Sequence, residues 1–139
     1  MKKLLSMILT LLLVLAVTGC GGVGNDLPLE EKVVEDGATI GEGAITFAAQ
    51  VEDLDGNVVS FTVKTDKTIV GEALQELGVL QGEEGPYGLY IKTVNGVTLD
   101  YDKDGAYWAF YVDGAYAVTG VDETEIVETS LYLIKAEKG

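Results

Sequence analysis

The first twenty residues limit how much of this chain is left to form a folded domain. Lys2 and Lys3 precede an apolar run over residues 4–17, and small residues follow it up to Cys20. The run is shorter than the ~20 residues that a membrane-spanning helix needs. A cationic start, a short apolar run and small residues before a cleavage point are typical of a secretory signal peptide. We therefore predict a signal peptide over residues 1–19, so that the mature chain begins at Cys20.

The segment Val17-Thr18-Gly19-Cys20 resembles a bacterial lipobox. The resemblance implies that the sulfur of Cys20 becomes thioether-linked to a diacylglycerol. Two acyl chains hold a protein on a membrane stably, whereas one chain binds only reversibly. An ordinary secretory signal with a chance cysteine, or a short membrane anchor, are the open alternatives. The sequence thus predicts a lipoprotein of the bacterial cell membrane, lipidated at Cys20 and facing outside the cytoplasm.

Charge and composition exclude several classes of function. Cleavage would remove two of the nine basic residues and none of the 23 acidic ones, which changes the net charge from −14 to −16. Such a field repels nucleic acid, so we expect no nucleic-acid partner. The chain has no histidine and a single cysteine, which excludes Ser-His-Asp triads, Cys-His pairs and two-His zinc sites. We predict that the protein is not an enzyme.

Three segments are predicted along the chain. Residues 1–19 form the signal peptide, and residues 20–42, which are glycine-rich and acidic without periodicity, form a flexible tether behind the lipidated cysteine. Residues 43–139 are long enough for one modest hydrophobic core and too short for two. The sequence therefore predicts a single folded domain at the end of a tether.

Hydrophobic periodicity and turn residues predict an α+β fold. Strands are expected over 44–48 and 58–63 as an opening hairpin, followed by a helix over 69–77 with Thr68 as its N-cap and Gly78 just after its end. Asn95-Gly96 and Asp113-Gly114 mark further hairpin turns. The remaining strands are predicted over 88–94, 97–99, 107–112, 115–119 and 130–135. The order indicates a β-grasp-like mixed sheet packed on one helix.

Three pieces of the chain together resemble one family. They are the helix that ends at Gly78, the stretch Gly88-Leu89-Tyr90-Ile91-Lys92-Thr93-Val94-Asn95-Gly96, and Tyr107-Trp108-Ala109-Phe110-Tyr111 followed by Asp113-Gly114 and Thr119-Gly120-Val121. This pattern is similar to the DUF4430 domain, also described as the transcobalamin-like C-terminal domain. The resemblance implies a β-grasp-like fold related to the smaller domain of vitamin B12 carriers, which covers one face of the corrin. Unlike those carriers, this chain has no large helical domain and no histidine for axial ligation, so it offers half a pocket.

The hairpin around Asp113-Gly114 supplies the candidate binding residues. A two-residue turn places Tyr111 opposite Tyr116 and Ala109 opposite Val118, with tyrosines on one face and Trp108 on the other. The tyrosine face is either a cross-strand ladder that stabilises the sheet or a platform that stacks on a planar ligand. All seven tyrosines lie at or beyond residue 87, which favours recognition. The candidate ligand-binding residues are Tyr87, Tyr90, Tyr107, Trp108, Tyr111 and Tyr116.

Residues 100–105 match the first half of an EF-hand calcium loop. Asp100, Asp102 and Asp104 occupy positions 1, 3 and 5, and Gly105 occupies position 6. Position 12, which should be a bidentate glutamate, is Tyr111, so the motif is incomplete. We expect a solvated acidic turn at these residues. A Ca²⁺ site is the weaker alternative, and no other cofactor is expected apart from cobalamin as a ligand.

Two functions from different classes fit these observations. The first is a surface-anchored lipoprotein that binds a small planar ligand, with a corrinoid implied by the family resemblance, and passes it to a transporter for uptake. The second is an adhesion or interaction module that binds a protein or glycan, for example by adding a strand at a sheet edge. A concave cleft beside Tyr107 and Trp108 would favour the first function, and a flat tyrosine face or an exposed edge strand would favour the second.

Overall fold

The structure, a computed structural model, describes residues 33–139. Outside the described residues lie the predicted signal peptide and residues 20–32 of the predicted tether, which include Cys20. Two helices and nine strands are found in the described part. The helices are α1 (Val70–Glu76) and α2 (Tyr101–Asp104). The strands are β1 (Thr39–Gly41), β2 (Ile45–Glu52), β3 (Val58–Thr65), β4 (Leu80–Gly85), β5 (Gly88–Val94), β6 (Val97–Thr98), β7 (Ala106–Val112), β8 (Ala115–Tyr116) and β9 (Leu131–Lys138). Within residues 33–139, no helix has the length and apolar character that crossing a membrane requires.

The strands form two sheets. One has six strands in the order β1-β3-β2-β9-β7-β8, and the other has three in the order β4-β5-β6. The larger sheet is mixed, because β1 pairs with β3 and β2 pairs with β9 in parallel, while its other pairs are antiparallel. The predicted opening hairpin is present as β2 and β3, each longer than expected. The α+β class is confirmed.

The core lies on the inner face of the larger sheet. Phe47, Ala49 and Val51 alternate along β2 and are buried, and Phe61 and Val63 of β3 lie opposite Ala49 and Phe47 in the register. Side chains two apart on a strand share a face, so this alternation gives the sheet one apolar side. Helix α1 adds three buried side chains at the predicted spacing, namely Val70, Ala73 and Leu74.

Helix α1 ends as predicted, but it begins differently. Gly78 has φ of +76°, the left-handed conformation in which glycine lacks the steric cost of other residues. The N-cap is Ile69 rather than Thr68, and no side chain caps the helix. The first N–H groups, of Val70 and Gly71, instead donate at 2.9 Å to main-chain carbonyls of residues 124 and 121. A neighbouring loop thus replaces the local cap.

Strand β4 is absent from the sequence-based prediction because its composition is unlike a strand. Its six residues, Leu80–Gly85, include two glycines and two glutamates, residue types that are depleted in strands. At Gly82 an added Cβ would lie 2.3 Å from the carbonyl oxygen of Tyr90 on β5. Glycine is needed there because the two backbones approach each other closely, and a register shift lies between Gln81 and Gly82.

Two predicted boundaries are wrong. The tether was expected to continue to residue 42, but Thr39–Gly41 pairs with β3, and Val34 is buried and exchanges two hydrogen bonds with the Asn95 side chain. The folded part therefore begins before residue 43. The strand predicted over 115–119 ends at Tyr116, so the pairing of Ala109 with Val118 does not form, and Val118 is fully exposed.

Candidate functional site

A groove separates the smaller sheet from the edge of the larger one. One wall is residues 89–91 of β5, and the other is formed by Tyr107, Trp108 and Phe110 of β7 together with residues 116–121. The groove has a volume of about 290 Å³. It lies beside β7 because β8 is only two residues long and leaves most of that strand uncovered. Tertiary structure has thus produced the concave site beside Tyr107 and Trp108.

Two hydrogen bonds join the walls of this groove. The indole N–H of Trp108 donates to the carbonyl oxygen of Lys92 at 3.1 Å. On the loop side, Oδ2 of Asp122 accepts from the backbone N–H of Leu89 at 3.2 Å. Both bonds connect β5 with the opposite wall, so they resist a change in the width of the groove.

The other carboxylate oxygen of Asp122 is buried and has no hydrogen-bond partner among the described residues. A Cβ at Gly120 would lie 2.8 Å from this Oδ1 atom, and one at Gly88 would lie 3.2 Å from it. The two glycines therefore make room for the carboxylate. Asp122 is not among the residues that the sequence analysis singled out, because nothing in the local pattern indicates that residue 122 meets residues 88 and 89.

The rim of the groove carries exposed apolar side chains. Tyr90 is 40% exposed on one wall, and Tyr116 is 64% exposed on the other, next to the fully exposed Val118. By contrast, Trp108 and Phe110 are 6% and 7% exposed and belong to the core cluster. Aromatic side chains at a groove rim present large contact areas with few rotatable bonds, which suits them to stacking on a ligand.

The outer face of the larger sheet carries a cluster of four tyrosines around one carboxylate, and two of these tyrosines also line the groove. We call it the outer tyrosine face; its members are Tyr101, Tyr107, Tyr111, Tyr116 and Glu137. The hydroxyl of Tyr107 donates to Glu137 at 3.4 Å, and that of Tyr111 donates to the other oxygen of the same carboxylate. The rings of Tyr111 and Tyr116 meet edge to face at 5.5 Å. The predicted pairing of these two tyrosines is confirmed.

The contact with Glu137 changes the acidity of these tyrosines. The hydrogen bond to Glu137, with burial and the negative charge of that carboxylate, raises the pKa of Tyr111 to about 12. Burial, with the charge of Glu137, also raises the pKa of Tyr107. Both shifts follow from the cost of removing a phenolate from water and of placing it beside a carboxylate.

We predict that Tyr111 ionises later than an ordinary tyrosine and that the folded state loses stability as it does so. The pKa of Tyr111 is higher in the folded than in the unfolded chain. Protonated Tyr111 therefore contributes fully to the free energy of unfolding below pH 10, and this contribution is lost as the pH rises towards 12. Ultraviolet titration of phenolate should show the last transition disappear in Tyr111→Phe. Tyr87→Phe, at a residue that is 97% exposed, is the control and should leave the last transition in place.

The structure brings four of the six candidate ligand-binding residues together. Tyr90, Tyr107, Trp108 and Tyr116 line the groove. Tyr111 belongs to the outer tyrosine face only. Tyr87 does not line the groove, because it lies in the turn between β4 and β5. The predicted lipidation residue, Cys20, lies outside the described residues.

The carboxylates of Asp100 and Asp104 accept hydrogen bonds from the backbone of a one-turn helix, and Asp102 contributes its N–H rather than its carboxylate. Oδ1 of Asp100 accepts from the N–H of Asp102 at 2.9 Å, and Oδ2 of Asp104 accepts from the N–H of Asp100 at 2.8 Å. Gly105 then ends α2 with φ of +64°. In the described range 33–139, no three Asp, Glu, His or Cys side chains are grouped so as to hold a metal ion. The Asp-Gly pattern is thus explained by capping.

A larger cavity of about 420 Å³ lies elsewhere, between the chain before β1 and Leu77. Its walls are residues 33–35, 38–41 and 77, mainly aliphatic or small, and no aromatic side chain lines it. None of the candidate residues takes part in it. We therefore place the candidate site in the groove, where aromatic side chains and backbone polar groups meet.

Comparison with known families identifies part of the chain. Residues 66–129 match DUF4430, a domain of unknown function. The predicted resemblance is therefore confirmed, and the match includes both walls of the groove. No curated protein matches the chain.

Seventeen chains of solved structures match. One is a protein from Ruminococcus gnavus ATCC 29149, described as a candidate metal-binding protein. It is 27% identical with a TM-score of 0.64, over 69% of this chain and 99% of that one. Another is haptocorrin in complex with Cbi, which is 16% identical with a TM-score of 0.51, over 71% of this chain and 26% of the haptocorrin chain. At that identity, the likeness to haptocorrin concerns the fold alone. It supports the relation to the transcobalamin-like C-terminal domain.

Proposed function

From the match of residues 66–129 to DUF4430, we propose that this chain is a non-catalytic protein that binds a small planar ligand in the groove between β5 and β7. The observation that carries the proposal is the aromatic lining by Tyr90, Tyr107, Trp108 and Tyr116. The lipid on Cys20 would hold the domain on the outer side of a bacterial cell membrane. From there it would pass its ligand to a transporter for uptake.

The size of the groove sets what part of a ligand it can hold. Pockets that enclose a drug-sized molecule measure ~300–1,000 Å³, and the groove has about 290 Å³. A larger planar molecule would therefore insert one edge and leave the rest outside. This fits a β-grasp-like domain that contributes one half of a site, as the likeness to the haptocorrin complex with Cbi suggests.

A corrinoid is the ligand class that we propose first. Its ring is planar, and its edge carries amide groups that can donate to an acceptor. The unpartnered Oδ1 of Asp122 lies behind the groove residue Gly120 and is buried, so a ligand amide would reach it only after this loop moves. The net charge of −14 favours a neutral or cationic ligand over an anionic one.

We predict saturable binding of a corrinoid that depends on the groove rim. The full chain in detergent micelles is titrated with cobalamin and with cobinamide, and binding is followed by corrin absorbance. Tyr90→Ala and Tyr116→Ala should each weaken binding by about tenfold, as is usual for aromatic anchors at a binding site. Both side chains are substantially exposed, so the variants are expected to fold.

Tyr87→Ala is the matched control, since this tyrosine is 97% exposed and does not line the groove. Its affinity should equal that of the unmodified chain. Absence of saturable binding at high micromolar corrinoid would rule out this ligand class for the isolated protein. Binding that is lost in Tyr87→Ala and retained in the rim variants would place the site elsewhere.

A second candidate function is recognition of an extended peptide by strand addition to β7. The N–H of Ala117 donates to the carbonyl oxygen of Phe110, so the even-numbered residues of β7 direct their backbone groups towards β8. Strand β8 ends at Tyr116, and within residues 33–139 the backbone groups of Trp108 have no backbone partner on that side. An open edge of this kind can pair with another chain.

Hydrogen exchange separates this function from small-ligand binding. A peptide partner that adds a strand should slow exchange of the Trp108 amide, because that N–H would gain a carbonyl acceptor. The amide of Ala109, which points towards β9 and is already paired, is the internal control. A partner that binds without changing exchange at Trp108 would contradict strand addition.

A further inference from the structure

The side chain of Tyr111 runs along the outer face of the larger sheet towards Glu137. In the strand register Tyr107 is opposite Glu137, whereas Tyr111 is opposite Leu133. The Tyr111 hydroxyl nevertheless reaches the Glu137 carboxylate. The Tyr111 and Glu137 side chains must therefore both extend along the strand direction, towards each other, to make this contact.

The burial of Ala109 supports this geometry. Ala109 lies between Tyr107 and Tyr111 on the same face of β7, because side chains two apart share a face. It is only 2% exposed, although it is on the side of the strand away from Trp108 and Phe110. The tyrosine side chains therefore cover Ala109 from outside. Tyr107 and Tyr111 are both half-buried, so part of each side chain remains open to solvent.

The charge beside these rings is negative and is not neutralised by an ion pair. Within residues 33–139 the ion pairs are Lys67–Glu76, Lys92–Glu83 and Lys135–Glu52, and Glu137 takes part in none of them. Lys135, which is the cationic residue opposite Ala109, has its ammonium 3.7 Å from Glu52 of β2. This contact directs the ammonium to the side of β9 away from the tyrosines.

We propose that the outer tyrosine face binds a small organic ammonium ion. Aromatic π-faces attract cations, best where a carboxylate lies near the rings. Tyr107 and Tyr111 supply the π-faces, and Glu137 supplies the charge and is held in place by their two hydroxyls. A neutral or anionic ligand would gain nothing from Glu137. The site shares Tyr107 with the proposed corrinoid groove, but Tyr111 and Glu137 do not line the groove, so variants at these two residues test the ammonium site separately.

The test is a titration with choline, followed by the NMR signals of the tyrosine rings of the full chain in micelles. Ring signals of Tyr107 and Tyr111 should shift and saturate. Glu137→Gln keeps nearly the same shape and removes the charge, with its amide oxygen accepting from one hydroxyl and its amide N–H donating to the other, so it should weaken choline binding by about fivefold. Tyr111→Leu removes a π-face and should weaken binding by a similar factor.

Two controls isolate the role of charge and of position. The neutral analogue 3,3-dimethyl-1-butanol has the shape of choline without its charge, and it should cause no saturable shift. Tyr87→Leu alters an exposed tyrosine outside the outer tyrosine face and should bind choline as the unmodified chain does. Variants are compared only after circular dichroism shows equal melting temperatures.

Equal affinity for choline and its neutral analogue would overturn the proposal, and so would choline binding that Glu137→Gln leaves unchanged. Absence of any saturable shift with the unmodified chain would also overturn it. A failure of the corrinoid titration has no bearing on these outcomes, because Tyr90 and Tyr116 are unaltered here and each ligand is titrated separately. If Tyr111→Leu lowers the melting temperature, the proposal is tested only by comparing the choline affinity of Glu137→Gln with that of the unmodified chain.

Discussion

Replacing Tyr132 with alanine is expected to lower the free energy of unfolding by about 3–5 kcal/mol, the range for deletion of a buried aromatic ring. Tyr132 on β9 is 1% exposed. Its ring lies between Phe47, edge to face at 5.5 Å, and Phe110, stacked at 6.1 Å. Because these contacts join β2, β9 and β7, a cavity here would weaken the centre of the sheet. Urea denaturation followed by Trp108 fluorescence measures the change.

The hydroxyl of Tyr132 contributes separately. It accepts from the N–H of Val127 at 2.8 Å and donates to the carbonyl oxygen of Glu125 at 3.2 Å. Tyr132→Phe keeps the ring and removes both bonds, so a loss of about 1–2 kcal/mol is expected. We predict that the free energy of unfolding decreases in the order unmodified chain, Tyr132→Phe, Tyr132→Ala. If the phenylalanine variant were as unstable as the alanine variant, ring packing would not be the main contribution.

Replacing Trp108 with alanine is expected to cost about 3–5 kcal/mol in stability and to abolish binding in the groove. The indole is 6% exposed within the core cluster, and its N–H joins β7 to the carbonyl of Lys92. Without this side chain, the smaller sheet loses both packing and a hydrogen bond to the larger one. Circular dichroism must follow the unfolding, because Trp108 is the only tryptophan of the chain.

Trp108→Phe is the matched variant. It retains an aromatic ring, and the Lys92 carbonyl still accepts from the N–H of Leu99 at 2.9 Å. No buried acceptor is then left without a partner, so the expected loss is about 1–2 kcal/mol. Ligand binding should be weakened rather than lost. A phenylalanine variant with unchanged stability and unchanged binding would show that the indole N–H does not fix the groove.

The elements that sequence reasoning predicted correctly are those specified by neighbours in the chain. The helix α1 follows from the spacing of Val70, Ala73 and Leu74, and Gly78 provides its left-handed end. The turn at Asp113-Gly114 has positive φ at both residues, which a two-residue hairpin requires. These features depend on local periodicity and local backbone conformation. The pairing of Tyr111 with Tyr116 follows from the turn alone.

The groove and the outer tyrosine face, by contrast, depend on contacts between residues that are distant in sequence. Glu137 meets Tyr111 because β9 lies beside β7, and Asp122 meets Leu89 across 33 residues. Tyr132 has the same composition signal as the other tyrosines, which the sequence suggested as a recognition surface, but its place in the central strand makes it a core residue. The residues next to a tyrosine in the sequence do not show whether its side chain joins the core or a surface cluster.

The sequence by itself determined the α+β class, the hairpin turns, the helix, the family resemblance and the chemistry that lack of histidine excludes. Tertiary structure alone decided that β4 is a strand, that Thr68 is replaced as a cap by a neighbouring loop, and that a groove lies beside Trp108. The physical reason is the range of the interactions. Periodicity and turn conformation act over a few residues, whereas strand pairing and close backbone approach are fixed by which distant segments pack together.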